Sequence, residues 1–398
     1  MTCEVIVMNR TGVAVAADTA VTMGPKVFHH SQKLFPLAAD IPVAMLNYGC
    51  AEFMGAPWSL VFNAYARHLG GRKMARLEDY ATDFLQFLEG SRKLFPVKVQ
   101  QRWFKETVER YWKASFAPDG KRRAGPEGQR AQINPLKLAR LLKKDAVVWK
   151  HYDLLGGFSS EFVEQILSEN GPTLSEIASD LFGSEALDGE LHEGLKDCVR
   201  SMYSRDWFAP GDRSWIVFCG MGEDEHFPSM LEYQVGSIMG GKLRYAQSDD
   251  ATITREVSAT VIPLAQRHTV DMFFRGIDPR LDSKLADHVT AIVEGRLAFA
   301  GKRLGRKARE AVRSEFRKKL GEDVIPAYTG PLIAAIDAHA PHDLAKTAEI
   351  LVNLTALKMQ MSVEERETVG GAVDVAFLSK SEGFVWIKHH NQLPNCHG

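Results

Sequence analysis

The residue with the most distinctive chemistry is Thr2, which directly follows Met1. A terminal threonine carries its own base, because a free α-amine with a pKa of about 7.7–8.0 can take the proton of the hydroxyl. Thr2 becomes such a nucleophile if Met1 is removed, and a small second residue is of the kind that this removal tolerates. The nucleophile also needs a positive field, which a buried lysine held by an aspartate would supply. Asp18 and Lys33 are the candidates for that pair.

Short apolar segments would position these residues. CEVIVMN at 3–9 and GVAVAAD at 12–18 are rich in Val and Ala and flank an Asn-Arg-Thr-Gly turn. This pattern predicts a β-hairpin, which brings the aspartate close to the threonine. A predicted loop leads to KLFPL at 33–37, a third strand. If this third strand joined the sheet of the hairpin, Lys33 would lie beside both Thr2 and Asp18.

The rest of the chain alternates between strand-rich and helix-rich parts. Two helical patterns follow the strand PVAMLNYG at 42–49. Later strands are predicted at 214–222, 230–238, 240–247, 258–265, 370–379 and 383–390. The order of strands, helices, strands, helices and strands fits an α+β fold. Two antiparallel sheets with helices on their outer faces would satisfy it.

We predict a core that is interrupted by helical insertions. Residues 1–95 form its first part, and 96–212 form a mostly helical insertion that begins with a charged helix with an aromatic edge. Residues 213–398 form its second part, with a further helical insertion around 278–340. A basic run at 302–319 in that insertion is interpreted as a solvated helix face.

The composition argues against several classes of partner. The 398 residues carry a formal net charge of −1 and a sequence pI of about 6.9, so neither a nucleic-acid nor a membrane partner is expected. We find no apolar run of about 18 residues and no signal-peptide pattern at the N-terminus. Five scattered cysteines without C-x-x-C spacing favour the reducing cytoplasm: Cys3, Cys50, Cys198, Cys219 and Cys396.

No metal or other cofactor is predicted. The acidic turn at 223–226 contains a histidine, but adjacent residues on a turn rarely converge on one ion. His29-His30 and His389-His390 are neighbouring pairs whose side chains point apart on extended chain. One of His29 and His30 could face the Thr2 cleft. Cys3 follows Thr2 on a strand, so we expect it to be buried on the opposite face.

Several of these residues together resemble a known family. Thr2, the GVAVAAD segment ending at Asp18, Thr22, the pair Lys33-Leu34 and Gly49 resemble the β-subunits of the proteasome. The peptidase subunit of the bacterial two-component ATP-dependent protease is similar. These proteins are N-terminal-nucleophile hydrolases with a four-layer αββα sandwich. The resemblance covers 2–95 and returns over 213–275 and 343–390, where GGAV at 370–373 resembles a Gly-Gly segment of the family.

The resemblance implies a role for each matching residue. Thr2 would be the nucleophile with its freed amine as the base, and Asp18 and Lys33 would tune it. Gly49 would offer a backbone N–H to the oxyanion of the tetrahedral intermediate. Two residues would pair their main chain with an extended substrate: Ala20 and Thr22.

The sequence departs from the family in its second half. An Asp and a Ser precede the Gly-Gly segment in the family, whereas Arg366 and Val369 stand at the matching positions here. A Gly-Ser-Gly near the start of a central helix is also absent. Three residues of that region are candidate substitutes that would help to position the nucleophile: Gln266, His268 and Thr269.

The leading hypothesis is a threonine hydrolase of the proteasome β type that cleaves peptide bonds through an ester intermediate. One alternative is a catalytically inactive assembly or binding protein on the same fold, and another is a hydrolase of small amides. The resemblance implies a peptide or protein substrate and assembly into a homo-oligomer, either a ring or a dimer. No Walker-type phosphate loop is present, so an ATP-dependent unfoldase would be a separate chain.

Overall fold

The structure is a computed structural model that describes residues 2–23, 26–28, 31–116, 134–187, 189–209, 211–362 and 369–390. Its strands are β1 (Cys3–Asn9), β2 (Gly12–Asp18), β3 (Val21–Met23), β4 (Lys26–Phe28), β5 (Leu34–Pro36), β6 (Val43–Gly49), β7 (Glu52–Phe53), β8 (Ala56–Pro57), β9 (Ser214–Gly220), β10 (Ser229–Met239), β11 (Lys242–Thr252), β12 (Ala259–Ala265), β13 (Val373–Ser379) and β14 (Gly383–Lys388).

The α-helices are α1 (Trp58–Leu69), α2 (Leu77–Gly90), α3 (Val97–Phe116), α4 (Pro135–Trp149), α5 (Ser160–Glu169), α6 (Gly171–Phe182), α7 (Gly189–Ser204), α8 (His268–Arg275), α9 (Pro279–Phe299), α10 (Arg306–Val324), α11 (Gly330–Asp337) and α12 (Pro341–Met361). A short 3-10 helix covers Ser184–Leu187, and a π-helical turn covers Ile325–Thr329.

The first sheet has the strand order β12-β1-β2-β13-β14, and its neighbouring strands are antiparallel. Its centre is the predicted hairpin of β1 and β2, in which Asn9 pairs with Gly12 across a two-residue loop. Asn9 Oδ1 accepts the N–H of Thr11 at 2.8 Å, a local bond that favours the turn. Pro263 lies in β12 at the edge of the sheet, the position in a sheet at which proline is tolerated.

The second sheet has the order β11-β10-β9-β6-β5 and is also antiparallel. The strand that follows Lys33 belongs here, because Leu34 of β5 pairs with Leu46 of β6. The prediction that this strand joins the sheet of β1 and β2 is therefore wrong. A three-residue apolar strand carries too little pattern to specify which sheet it joins.

The segment predicted as a loop after β2 contains a small hairpin instead. Val21 pairs with Phe28 and Met23 pairs with Lys26 across β3 and β4. The β-branched residues of both strands favour extended chain. Gly24 and Pro25 between them are typical of a loop, which is why the sequence predicts one here.

Three apolar clusters hold the sheets and helices together. One lies between the two sheets and contains Ile6 and Val15 of the first sheet with Leu46 and Val217 of the second. The opposite face of the first sheet packs on α12 through residues that include Val5, Val7, Leu344 and Val352. The opposite face of the second sheet packs on α1 and α2 through residues that include Met45, Phe218, Phe62 and Phe84.

The two antiparallel sheets and the helices confirm the α+β class.

Helices α3–α7 share an apolar cluster of their own, which includes Phe104, Trp112 and Val199. Arg244 of β11 reaches into this group, and its Nη2 donates to the carbonyls of Met202, Arg205 and Trp207 at 2.9–3.1 Å. These bonds join the helices to the second sheet. The division of the chain into a core and insertions remains a prediction.

The basic run at 302–319 falls largely in α10, which buries none of its residues and so has the predicted solvated character. Within the described ranges, no helix combines the length and the apolar character that a membrane span requires.

The cluster between the sheets predicts a clear difference between two leucines. Leu46→Ala should lower the free energy of unfolding by about 2–5 kcal/mol, because it leaves a cavity between the sheets. Leu60→Ala on α1 removes the same atoms from a side chain that is 46% exposed, so we expect a change within about 0.5 kcal/mol. Denaturant unfolding measures both, and equal losses would contradict this packing.

Candidate active site

Lys33 connects the two sheets at the start of β1. Its Nζ donates to Thr2 Oγ1 in a very short contact, and to Asp18 Oδ1 and the carbonyl of Ala20 at 2.6 Å each. These three bonds use all three N–H groups of an ammonium. The lysine is 5% exposed and the aspartate 1% exposed, so the ion pair is buried. The structure therefore brings together the three residues that the sequence selected as a nucleophile and its tuning pair.

Asp18 is held by backbone as well as by the lysine. Its Oδ1 accepts the N–H of Cys3 at 2.9 Å, and its Oδ2 accepts the N–H of Gly370 at 3.1 Å. These two bonds fix the orientation of the carboxyl group towards Lys33. The Gly-Gly segment that was matched to the family thus contacts the site through its main chain.

Glu4 is a fourth member of this cluster, and the sequence interpretation did not select it. Thr2 Oγ1 lies 2.9 Å from Glu4 Oε1 and 2.8 Å from Asp18 Oδ1. A hydroxyl has one proton, so it donates to one of these carboxyls at a time. Burial raises the pKa of Glu4 from its ordinary value of 4.5 to about 8, while nearby Lys33 lowers it and Asp18 raises it.

A signal for Glu4 was present in the sequence. It is the one charged residue of the apolar segment CEVIVMN, and it stands two positions after Thr2. Alternate residues of a strand share a face, so a nucleophile at the start of β1 has Glu4 as its nearest neighbour on that side. A buried glutamate in an otherwise apolar strand is unfavourable without a partner, which also marks it as unusual.

A cavity of about 850 Å³ opens beside Thr2. Its lining comes from both ends of the first hairpin, from the segment before β5, from the end of β6 and the chain up to the start of α1, and from the start of β9. It includes Thr2, Ala20, Lys33, Gly49 and Trp215. The nucleophile candidate thus faces a space that a ligand can enter. The cavity also contains Cys50, a half-buried free thiol.

Gly49 ends β6 at the edge of this cavity, with a φ of +91°. A Cβ atom at this position would lie 2.7 Å from the carbonyl oxygen of Arg213 and 2.9 Å from the ring of Trp215. Both the left-handed φ and the close approach require glycine. The structure therefore places this predicted residue in the same cavity as Thr2, and its role towards an oxyanion remains a prediction.

One wall of the cavity is a stack of three side chains. The rings of Tyr48 and Trp215 are parallel with centroids 4.9 Å apart, and the guanidinium of Arg213 lies 4.4 Å from the centre of the Trp215 ring. Tyr48 Oη donates to Glu232 Oε2 at 2.7 Å, and Ser248 Oγ donates to the other oxygen at 2.6 Å. This wall was not predicted, because Tyr48 lies in β6 whereas Trp215 lies in β9 and Arg213 just before it, and they meet only after the two strands pair.

Ala20 and Thr22 are the two residues predicted to bind the substrate. Ala20 is buried in the cavity wall, with its carbonyl used by Lys33. Thr22 pairs with Val27 in the β3–β4 hairpin. The substrate-binding role of both main chains remains a prediction.

Gln266, His268 and Thr269 follow β12, whose last residue Ala265 pairs with Cys3. They therefore lie at the Thr2 end of the first sheet. His268 is exposed and Thr269 is buried. The described residues that line the cavity do not include these three, and their positioning role remains a prediction.

Val369 is 1% exposed and belongs to the apolar cluster under α12, so it offers no hydroxyl to the site. Arg366 and the pair His29-His30 lie outside the described residues. Cys3 is buried on the α12 face of β1, which confirms that it points away from Thr2. Burial raises the pKa of its thiol to about 12.

The four cysteines within the described ranges are free, and Cys396 lies outside them. No group of three or more His, Cys, Asp or Glu side chains in the described part of the chain could hold a metal ion.

Comparisons with known proteins give limited information. No family model matches the chain, and no curated protein matches it. Solved structures that align with it include Anbu from Hyphomicrobium sp. strain MC1, with a TM-score of 0.28, 8% identity and coverage of 97% of this chain and 87% of that one. A mutant of the same protein aligns with a TM-score of 0.29, 9% identity and coverage of 98% and 86%.

Anbu (ancestral beta-subunit) from Yersinia bercovieri also aligns, with a TM-score of 0.29, 8% identity and coverage of 98% of this chain and 88% of that one. Scores this low carry no argument about the chemistry of the chain.

The buried ion pair predicts a large effect of losing the lysine. Lys33→Met should lower the free energy of unfolding by about 3–5 kcal/mol, because it leaves the Asp18 carboxylate buried without its cation. Lys388→Met is the matched control: Lys388 pairs with Glu349 at 2.6 Å but is 48% exposed, so we expect a loss within about 1 kcal/mol. Similar losses in denaturant unfolding would contradict the buried pair.

The raised pKa of Glu4 predicts a pH-dependent stability. The folded chain keeps the Glu4 proton up to about pH 8, whereas the unfolded chain releases it near 4.5. The stability of the wild type should therefore fall relative to Glu4→Gln between these two values, by at most about 1.4 kcal/mol per pH unit. Unfolding of both proteins at pH 5 and pH 8.5 tests this, and a pH-independent difference between them would show that Glu4 titrates normally.

Proposed function

We propose that this chain is a threonine hydrolase that cleaves peptide bonds through a Thr2 ester. The observation that carries the proposal is the contact of Lys33 Nζ with both Thr2 Oγ1 and Asp18 Oδ1, beside a cavity. A cation that donates to the hydroxyl oxygen favours its ionised form, because the developing negative charge is stabilised where it forms.

The proposed reaction has two steps. Thr2 Oγ1 attacks the substrate carbonyl, its proton passes to a base, and the amine leaves with a proton. Water then attacks the resulting ester and frees the hydroxyl. Gly49, in the same cavity, is the proposed backbone donor to the oxyanion, and removal of Met1 would supply the α-amine as a base.

A peptide is the favoured substrate over a small amide because of the size of the cavity. Its volume of about 850 Å³ is near the upper end of the roughly 300–1,000 Å³ range of ligand sites. Ala20 and Thr22 would align an extended peptide by main-chain pairing.

The architecture that we propose for this function is the four-layer αββα sandwich. The three apolar clusters between the sheets and on their outer faces support it. Residues 1–95 and 213–398 would form this core, with the insertions at 96–212 and around 278–340. The chain would act in the cytoplasm, as a homo-oligomer, with any ATP-dependent unfoldase as a separate protein.

A second candidate, a non-catalytic assembly or binding protein on the same fold, is favoured by one observation. Val369, at the position matched to a family serine, is buried among apolar side chains. The intact mass of the native protein separates the two proposals, because retention of Met1 leaves Thr2 without a free amine and favours the non-catalytic protein.

Turnover by Thr2 variants tests the catalytic proposal. Thr2→Ala should reduce hydrolysis of fluorogenic peptide coumarin amides by roughly 10³-fold or more, because it removes the nucleophile. Thr2→Ser keeps a hydroxyl on the same atom and should retain measurable turnover. The same rate in wild type and Thr2→Ala would rule out Thr2 as the nucleophile.

A further inference from the structure

Glu4 has an environment that a purely structural residue does not need. It is fully buried, its Oε1 lies 2.9 Å from Thr2 Oγ1, and its Oε2 is enclosed without a hydrogen-bond partner among the described residues. Its strand neighbours are Ala17 on β2 and Leu264 on β12, which offer no polar side chain. A buried carboxyl oxygen without a hydrogen bond destabilises the folded state, so such a group is retained mainly where it has a function.

The three groups around Thr2 Oγ1 differ in their ability to accept its proton. Lys33 commits its three N–H groups to Thr2, Asp18 and Ala20, so it has no lone pair to offer. Asp18 accepts hydrogen bonds from Lys33, from the N–H of Cys3 and from the N–H of Gly370, so both of its oxygens are already engaged. Among the described residues, Glu4 is hydrogen-bonded only to the hydroxyl itself, and its second oxygen has no partner.

Resting on the proposed threonine hydrolysis, we propose that Glu4 is a catalytic residue that takes the proton of Thr2 Oγ1 in acylation and returns it to Oγ1 in deacylation. In acylation, the Oγ1–H bond breaks, Oγ1 bonds to the carbonyl carbon, and the proton moves to the Glu4 carboxylate. The leaving nitrogen takes a proton from solvent when the C–N bond breaks. In deacylation, water attacks the ester and releases a proton to solvent, and Oγ1 recovers the proton of Glu4 as the ester bond breaks.

This assignment changes the base from the one that the sequence suggests. After Met1 is removed, the α-amine of Thr2 and the carboxyl of Glu4 are both candidate bases, and Glu4 Oε1 lies 2.9 Å from Thr2 Oγ1. The acylation rates of the Glu4 variants distinguish the two groups.

Burial is the largest cause of the raised pKa of Glu4, and the charges that face it act in opposite directions. Lys33 from the segment before β5 favours the carboxylate, and Asp18 at the end of β2 disfavours it. The pKa of the Tyr48 hydroxyl on β6 is raised by burial first, then by Glu232, and to a smaller extent by Glu4. Since the ionised carboxyl is the acceptor, the reaction should accelerate as the pH rises through about 8.

Acylation of Thr2 by a small β-lactone tests this role without knowledge of the natural substrate. The rate is measured by mass spectrometry from pH 5.5 to pH 9.5 in the wild type, Glu4→Gln, Glu4→Asp and Thr2→Ala. Glu4→Gln should react roughly 100-fold or more slowly and should lose the rise near pH 8. Glu4→Asp keeps a carboxylate one methylene shorter, so it should react more slowly than wild type but keep a pH dependence.

The outcomes separate the two proposals. If the wild type is acylated on Thr2 and Glu4→Gln matches its rate and pH profile, the α-amine is the base and only the role of Glu4 is overturned. If the wild type is not acylated at any pH, the threonine hydrolase and the role of Glu4 both fail. Should Glu4→Gln not fold, Glu4→Asp decides: a changed carboxyl should move the midpoint of the pH profile away from that of the wild type, whereas a midpoint that stays in place shows that the α-amine titrates and overturns the role of Glu4.

Discussion

The ammonium group of Lys33 is the interaction on which the site depends. Its three hydrogen bonds reach Thr2 and Asp18 in the first sheet and the carbonyl of Ala20 just beyond it, while its own chain continues into β5 of the second sheet. A buried ion pair is weak evidence for stability, because desolvation offsets much of the attraction. The role of this ion pair is to fix geometry, because the Lys33 ammonium holds the Thr2 hydroxyl and the Asp18 carboxylate in place beside the cavity.

The charge of the cluster follows from this arrangement. Lys33 and Asp18 form an ion pair in which both side chains are almost fully buried. A second negative charge on Glu4 is then poorly compensated, and its carboxyl prefers to keep its proton at neutral pH. The two carboxyl groups that contact the Thr2 hydroxyl therefore have different proposed roles. Asp18 binds the Lys33 ammonium, and Glu4 exchanges a proton with Thr2.

The sequence predicted the parts of this site that depend on local pattern. Val- and Ala-rich segments around a two-residue turn specify the β1–β2 hairpin, so the approach of Thr2 to Asp18 follows from its register. The position of Lys33 could not be derived in the same way, because the three-residue β5 joins the other sheet. The position of Glu4 could be read from the sequence, since it is the one charged residue of β1, but its complete burial follows only from the packing of the sheets.

The most direct test of the account is the site at which a β-lactone reacts with the native protein, determined by peptide mapping and mass spectrometry. Thr2 and Cys50 both face the cavity, so the experiment has an internal competitor. The account predicts chains that begin at Thr2 and carry one acyl group on it. An acyl group on Cys50 alone, or unmodified chains that retain Met1, would contradict it.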